Sequence, residues 1–305
     1  MIHSADEYSP LREIIVGSAD NAHWPQKCAA FRGLEQTSGW QETAVPSGPV
    51  EQHVIDAANR DLDTLSSTLE NLGVTVHRPL PLDFASFDGM YNYCPRDRVL
   101  IVDDRAIDAP MLYPTRKPEI DAFKHLLDCE IIAPPAGHPA QFDAANVCRL
   151  GKDLLYLVSS SGNVAGAEWL QRTLGTDYTV HVLQNIYSGV HIDSTISIVR
   201  PGLAVLNADR INKDNTPDPL RSWDIIWLSK HELATHSFYN YPYASNYIAL
   251  NFLTVDPHTV ICDPKQTRLR EELEKRNVTT IGVDLSQSRT LGGGHHCVTL
   301  DLHRE

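Results

Sequence analysis

The feature that most restricts how this 305-residue chain can fold is a strand-and-helix pattern that recurs five times, about every 45 to 60 residues. Apolar runs of strand length are followed by a helical segment and then by another short apolar strand. The first unit reads Glu13 to Val16, a helix over about Val50 to Leu72, and Val74 to His77. The second reads Val99 to Asp103 and Ala106 to Ala109, a helix near Glu119 to Leu127, and Ile131 to Ala133. The third reads Phe142 to Arg149 and Leu154 to Val158, a helix near Ala165 to Leu174, and Tyr178 to Leu183. The fourth reads His191 to Val199 and Leu203 to Leu206, a weaker helix near Asp218 to Trp223, and Ile225 to Trp227. The fifth reads Tyr247 to Val255 and Thr259 to Cys262, a helix near Gln266 to Arg276, and Val278 to Val283. Residue identity between units is negligible, so the repeat lies in the pattern alone. A segment left over at the end, Gly292 to Leu302, can complete the first unit by adding a strand. The pattern therefore predicts a closed α/β ring with no open sheet edge, in which one loop from every unit meets at a common axis. No Pro- or Ser-rich linker divides the chain, and a single domain over residues 1–305 is expected.

Charge narrows the partners. Lys and Arg total 26 against 39 Asp and Glu, a net charge of −13, which repels phosphate backbones and anionic lipid. The densest basic run, Arg268 to Arg276, alternates with acidic residues and reads as a solvated helix face, so neither nucleic acid nor membrane is expected as a partner. The amino terminus shows no basic region ahead of an apolar one, and no stretch approaches the 18 or so apolar residues of a membrane span. The six cysteines form no CxxC pair, which argues against both a disulfide framework and a structural zinc site and for a reducing cytoplasm.

Chemistry concentrates at a few positions. Cys297 closes the run Leu291-Gly292-Gly293-Gly294-His295-His296-Cys297. Glycines allow close approach to the main chain, and a thiol just beyond them is a candidate nucleophile. A free cysteine is ordinarily a small buried hydrophobe, the reading kept for Cys28, Cys94, Cys129, Cys148 and Cys262. His191 and Asp193 alternate about Ile192 and so are expected on one face of a strand. Two ionisable groups there must be paired, exposed or functional. Asp97 and Asp143 occupy the same place in their units as His191 does in the fourth, so acids and a base converge on the predicted axis. Arg210 is a natural counter-ion for a substrate carboxylate. Carboxylates that do not serve the histidine would attract a cation, and a guanidinium offers planar donors matched to them around an electrophilic carbon. Thiolate attack there, with histidine protonating the departing amine, is ordinary nucleophilic catalysis.

These residues resemble those of the amidinotransferases of the pentein superfamily. Cys94-Pro95-Arg96-Asp97, the FDAANV run at 142–147, HIDST at 191–195, RPG at 200–202 and LGGGHHC at 291–297 occur in family order with family-like spacing. The runs FDAANVCRLGKDLLYLVSSSGN and DNTPDPLRSW are similar to the bacterial secondary-metabolite branch, typified by inosamine-phosphate and saxitoxin-pathway enzymes, more than to glycine amidinotransferase. The resemblance implies a five-fold pseudosymmetric α/β propeller, the pentein fold, of ββαβ units. It implies Cys297 as nucleophile, His191 as general acid and base, and Asp143 as its orienting partner. Asp97 and Asp193 would hold the guanidinium, while Arg210 and Ser245 would hold the amino-acid end of L-arginine. It implies an acceptor primary amine as second small-molecule substrate, release of ornithine, no metal, and no organic cofactor; a homodimer is the expected assembly. Two positions depart from the family: His295 stands where Phe is usual, and Ala244 replaces the first of two adjacent serines. The small residues Ser188, Gly189 and Val190 ahead of His191 suggest space for an acceptor larger than glycine.

Three other readings stay open on the residues alone. His191-x-Asp193 with a distant histidine imitates the facial triad of a non-haem iron oxygenase, although that reading expects a double-stranded β-helix and leaves Cys297 and Asp143 without roles. Water could instead take the amidino group, giving a guanidine-modifying hydrolase or deiminase. A ring that only bound its ligand would need neither nucleophile nor base.

Overall fold

The structure, a computed structural model, describes residues 2–32 and 45–305. Five three-stranded sheets form its blades and share one topology. In the second blade Val99–Val102 pairs antiparallel with Arg105–Asp108, which pairs parallel with Ile131–Ile132. The third repeats this with Val147–Leu150, Asp153–Leu157 and Thr179–Leu183. Ile196–Arg200, Leu203–Asn207 and Asp224–Leu228 form the fourth, and Leu253–Asp256, Thr259–Cys262 and Thr279–Gly282 the fifth. The first blade is closed across the sequence, since Thr299–Arg304 pairs antiparallel with Leu11–Val16, which pairs parallel with Thr75–His77. The leftover carboxyl-terminal segment thus completes the first unit, as its pattern predicted.

Alternation along each strand explains why the blades pack as they do. Leu100 and Val102 enter an apolar cluster shared with the third blade, while Val99 and Ile101 enter one shared with the first. In the third blade Leu154 and Tyr156 face the second blade, and Leu155 and Leu157 face the fourth. Val205 and Val260 join the fourth blade to the fifth, and Ile14 and Val16 meet Leu253 and Val255 to seal the fifth against the first. A sheet covered on both faces needs an apolar residue at nearly every position, which is why these strands read as continuous apolar runs. Burial also falls outward. The first strands, such as Val99–Val102 and Ile196–Arg200, are almost wholly buried, whereas third strands such as Thr179–Leu183 are half-buried or exposed.

The crossovers differ among blades. Gln52–Asn71 is a full helix that buries Val54, Ile55, Ala58, Leu62, Leu65 and Leu69 in one stripe, and Gly73, at φ 84°, follows its end. Val164–Leu174 starts where the Asn163 side chain accepts from the Gly166 N–H, and Thr267–Glu274 serves the fifth blade. The helices expected near Glu119 to Leu127 and Asp218 to Trp223 are instead 3₁₀ turns, Pro114–Ala122 with Lys124–Leu126 and Asp218–Leu220. Pro118 lies inside the first, where a ring that removes an N–H interrupts a regular α-helix, while the second is only three residues long, with Pro219 in its first turn.

Inner strands begin later than the sequence suggests. The fourth blade's strand starts at Ile196 rather than His191, the third's at Val147 rather than Phe142, and the fifth's at Leu253 rather than Tyr247. A tight turn precedes each inner strand, and these turns carry the polar residues of the axis.

At the other end of the axis the first residues bridge three blades, with His3 paired to His303, Ser4 to Asp103 and Asp6 to Leu150. Glu7 is thereby buried on the Arg149 guanidinium, whose Nε and Nη2 donate to its carboxylate at 2.9 and 2.8 Å. Asp301 accepts from Arg149 and Arg304 at 2.7 Å each and pairs also with Arg96. Burial alone would raise both acids, but the arginines outweigh it and hold Glu7 and Asp301 well below the usual carboxylate range. Among the described residues no helix is long and apolar enough to cross a membrane.

Replacing Asp301 leaves three buried arginines short of one shared counter-charge. Asp301→Ala should cost about 3–5 kcal/mol of stability, the usual penalty for breaking a buried ion pair from one side. A stability loss of less than a third of that amount, taken as the urea midpoint shift multiplied by an unchanged slope, would show that the network is dispensable.

Candidate active site

Each blade contributes to the axis through the turn ahead of its inner strand. Asp97 ends the turn Pro95–Asp97, two residues before Val99. Asp143 precedes the turn Ala144–Asn146. His191 and Asp193 lie on the turn before Ile196, Asn251 follows the turn Asn246–Leu250, and Cys297 lies two residues before Thr299. His191 and Asp193 converge because the chain turns there, not because they alternate on a strand.

Ligating atoms of Asp97, His191 and Cys297 all lie within 4.8 Å of one another. His191 Nε2 bonds Asp143 Oδ2 at 3.0 Å, and its Nδ1 faces Asp97 Oδ1 at 3.6 Å. The other Asp143 oxygen accepts from the Leu112 N–H at 3.1 Å, which fixes the carboxylate plane. Burial alone would lower the His191 pKa, but Asp97 and Asp143 outweigh it and raise it to about 9. The imidazole is therefore protonated at neutral pH.

The thiol stands between two polar partners. Asn251 Nδ2 donates to Cys297 Sγ at 3.2 Å, and Sγ–H donates to Asp193 Oδ2 at 3.2 Å. Asn251 Oδ1 accepts from the N–H groups of His296 and Cys297, each at 3.0 Å. Burial, then the charges of Asp193 and Asp97, push the thiol well above its usual pKa. Asp193 also bonds His296 Nδ1 at 3.0 Å, and His296 Nε2 reaches Glu7 at 3.2 Å, which links the site to the ion network of the axis. Although burial opposes ionisation, the contacts with His296 keep Asp193 below its usual value.

Each glycine before Cys297 has its own reason. Gly292 adopts φ 90°, a side chain on Gly293 would meet Cys94 Sγ at 2.5 Å, and one on Gly294 would meet Asn251 Oδ1 at 2.7 Å.

Asp97 is held by Arg116, whose Nη1 donates to Oδ2 at 2.9 Å while Nε and Nη2 grip Glu119 at 2.8 to 3.0 Å. Asp97 Oδ1 is buried without a hydrogen-bond partner. Burial raises Asp97 despite the opposing charges of His191 and Arg116, and burial raises Glu119 to about 7.

Among the described residues, neither of the two expected to hold the donor's amino-acid end hydrogen-bonds the thiol, His191, Asp97 or Asp143. Arg210 lies behind the His191 turn, where Nη1 donates to Ser194 Oγ and Thr195 Oγ1 at 2.9 and 2.6 Å. Ser245 is exposed at the start of the turn Asn246–Leu250, two residues from Tyr247, which stacks on Arg210. The space expected at Gly189 is filled by the Tyr187 ring, since a side chain there would lie 2.1 Å from it. His295, at the departure from the family's Phe, is buried and donates from Nε2–H to the Val283 carbonyl at 2.7 Å.

Asn251, His296, Arg116 and Glu119 had no role in the sequence reading. Asn251 carried a usable signal, because like Asp97 and Cys297 it stands two residues before an inner strand. Arg116 and Glu119 carried none, since a helix was expected where a proline-broken turn brings them inward.

Comparison with known proteins places the chain among enzymes of one activity. It is 39% identical over 334 residues to inosamine-phosphate amidinotransferase 1 of Streptomyces griseus, covering 98% of this chain and 96% of the relative. It is 31% identical to the L-arginine:L-lysine amidinotransferase of Pseudomonas savastanoi pv. phaseolicola, over 99% and 94% of the two chains. The solved structure of an inosamine-phosphate amidinotransferase from Streptomyces griseus superposes with a TM-score of 0.93 at 38% identity, covering 100% of this chain and 97% of the other. An amidinotransferase of the saxitoxin biosynthetic pathway from Microseira wollei gives 0.84 at 28%, with the same coverage. No family model matches the chain.

A histidine whose folded pKa exceeds the usual 6.5 lends stability that is complete below about 6.5 and lost as pH rises through about 9. Ring NMR of histidine-labelled protein should accordingly show one site titrating near 9, and Asp143→Asn should lower that midpoint. A His191 midpoint at or below 6.5 in the unsubstituted protein would contradict the pairing.

Proposed function

The chain belongs to the amidinotransferases, of the pentein fold and the secondary-metabolite branch, and on that premise we propose that it takes the amidino group from L-arginine. Cys297 holds the group covalently, ornithine leaves, and an acceptor primary amine of a biosynthetic pathway receives it. The observation that carries this reading is Asp97 Oδ1, a buried carboxylate oxygen that accepts no hydrogen bond and faces only His191 Nδ1 at 3.6 Å, within the cluster that contains Cys297 and His191. Leaving such an atom unpaired costs about 1–3 kcal/mol or more, and a guanidinium N–H is a charge-assisted partner for it.

Charge then explains the order of events. Burial and two carboxylates hold the thiol well above its usual pKa while no guanidinium is bound. A guanidinium between Asp97 and Asp193 opposes those carboxylates and favours the thiolate, so the donor activates its own attacker. As the Sγ–C bond forms, the thiol proton passes to Asp193 Oδ2, the oxygen it already touches. As the C–N bond to ornithine breaks, His191 gives its proton to the departing nitrogen. The amidino group is then an S-alkylthiouronium on Cys297. In the second half the acceptor nitrogen attacks the same carbon, loses a proton to His191, and Sγ departs and regains its proton from Asp193. Asp143 keeps His191 oriented throughout, and Arg210 takes the donor's carboxylate. Full-length similarity to transfer enzymes favours the amine over water as acceptor. The β-helix required by an iron oxygenase is not the fold of this chain. A reducing cytoplasm suits an enzyme that depends on a free thiol.

Intact-protein mass spectrometry after arginine addition should show an amidino adduct that Cys297→Ser abolishes, with ornithine released before any acceptor is supplied. Transfer retained by Cys297→Ala would overturn the assignment. Asp97→Asn removes one charge-assisted bond and should lower kcat/KM for arginine about 10- to 150-fold. Unchanged arginine kinetics would take Asp97 out of the donor site.

A further inference from the structure

The environment of Arg210 holds more than a counter-ion requires. Its guanidinium carbon lies 3.4 Å from the centroid of the Tyr187 ring and 4.5 Å from that of Tyr247. Nη1 is committed to the HIDST turn through Ser194 and Thr195, while Nη2 and Nε complete a planar fork of the shape that meets a carboxylate with two bonds. Both rings are themselves fixed. Tyr247 donates from its hydroxyl to Asp209 Oδ2 at 2.8 Å, and that oxygen also accepts the Lys230 N–H at 2.7 Å. The Tyr187 ring lies across Gly189, where an added methyl would come within 2.1 Å of it, so the glycine is what lets the ring reach Arg210.

Resting on the arginine-donor reading above, we propose that Tyr187 and Tyr247 are positioning residues that clamp Arg210 as the receptor for the donor's α-carboxylate, and that this clamp selects arginine over a decarboxylated donor. A free arginine side chain loses much rotamer entropy when it binds an anion. Two ring faces and the Ser194 and Thr195 oxygens remove that freedom in advance, so the carboxylate meets a fork already in place. The clamp also lies on the two segments that lead to the reacting groups. Tyr187 precedes His191 by four residues, and Tyr247 precedes Asn251, the thiol's amide partner, by the same number. A carboxylate drawn to Arg210 therefore steadies the base and the nucleophile together, which a donor lacking that carboxylate cannot do.

The test compares kcat/KM for arginine and for agmatine, its decarboxylated counterpart, in the unsubstituted enzyme, Tyr187→Leu, Tyr187→Phe and Gly189→Ala. Loss of a partly desolvated cation–π contact predicts an arginine-to-agmatine ratio about 2- to 30-fold lower in Tyr187→Leu, carried mainly by KM. Tyr187→Phe, which keeps the ring face and removes only the hydroxyl's contact with Arg210, should retain most of the ratio. Gly189→Ala should lower it, because the added methyl displaces the ring without removing it; this variant also keeps the test decisive if Tyr187→Leu does not fold. Calorimetry should show arginine affinity falling in step with the ratio. Arginine turnover with an unchanged ratio in both Tyr187→Leu and Gly189→Ala would overturn the clamp alone. Absence of any adduct or transfer from arginine in the unsubstituted enzyme would overturn the donor reading, and the clamp with it.

Discussion

Asp301, a single buried carboxylate, meets Arg96, Arg149 and Arg304, and the ring's closure depends on that meeting. Removing so many charges from water is costly, and only close, mutually satisfied pairing offsets it. The groups come from far apart in the chain: Arg96 from the turn of the second blade, Arg149 from the third, Asp301 and Arg304 from the closing strand, and Glu7 from the amino-terminal segment. Apolar contacts between blades tolerate small shifts, but a one-residue slip of Thr299–Arg304 would turn Asp301 to the opposite face. The network thus fixes the register of the strand that closes the first blade. Cys297 stands two residues before that strand, so a constraint on register is also a constraint on the thiol.

The same network extends into the site. Glu7, held on Arg149, bonds His296; His296 bonds Asp193; and Asp193 accepts the thiol proton's hydrogen bond. Burial would lower the His296 pKa, and Arg96 adds to that, yet the bonds to Asp193 and Glu7 raise it. Those bonds favour the imidazolium form, and its charge beneath Asp193 favours an ionised carboxylate beside the thiol. On the other side Arg116 holds Asp97 by a hydrogen bond, with Glu119 completing its fork, although burial still leaves Asp97 raised. The two carboxylates proposed for the guanidinium are thus each backed by a cation held by a further acid. Such backing orients them and limits their mutual repulsion, and it leaves Asp97 Oδ1 free to meet a donor.

How far this was legible in the sequence depends on which physical rule governs each segment. Strands buried on both faces must be apolar throughout, so Val99–Val102, Leu203–Asn207 and the rest stood out, and so did the five-unit repeat. Crossovers are free to vary, and two expected helices are 3₁₀ turns, the first with Pro118 inside it. Cys297, His191 and Asp143 were legible because their types are rare together with a glycine run and the family's motifs. Their local geometry was not: an alternating pattern does not reveal that the chain turns at His191–Asp193 and enters its strand only at Ile196. Asn251 escaped because an amide before a strand looks like a turn residue, and Arg116 because its meaning comes entirely from a fold that brings it to Asp97. Gly189 looked like open space and proved to be the seat of a tyrosine ring.

The pseudosymmetry explains why such different side chains stand at matching places. Asp97, Asn251 and Cys297 each stand two residues before an inner strand, and the turns carrying Asp143 and His191 do the same work in the blades between. What the repeat conserves is position: a short turn at the end of a buried strand, aimed at the axis and held by the neighbouring blades. What varies is chemistry, since at that position one blade offers a carboxylate, another an amide and another a thiol. A site assembled this way is precise because every member stands at the root of a buried strand. The same logic separates the reaction from its selectivity. The groups proposed to react sit on the turns themselves, whereas the tyrosines proposed to clamp Arg210 occupy the segments leading into two of them, where on that proposal a change would alter which donor is held before it altered what is done to it.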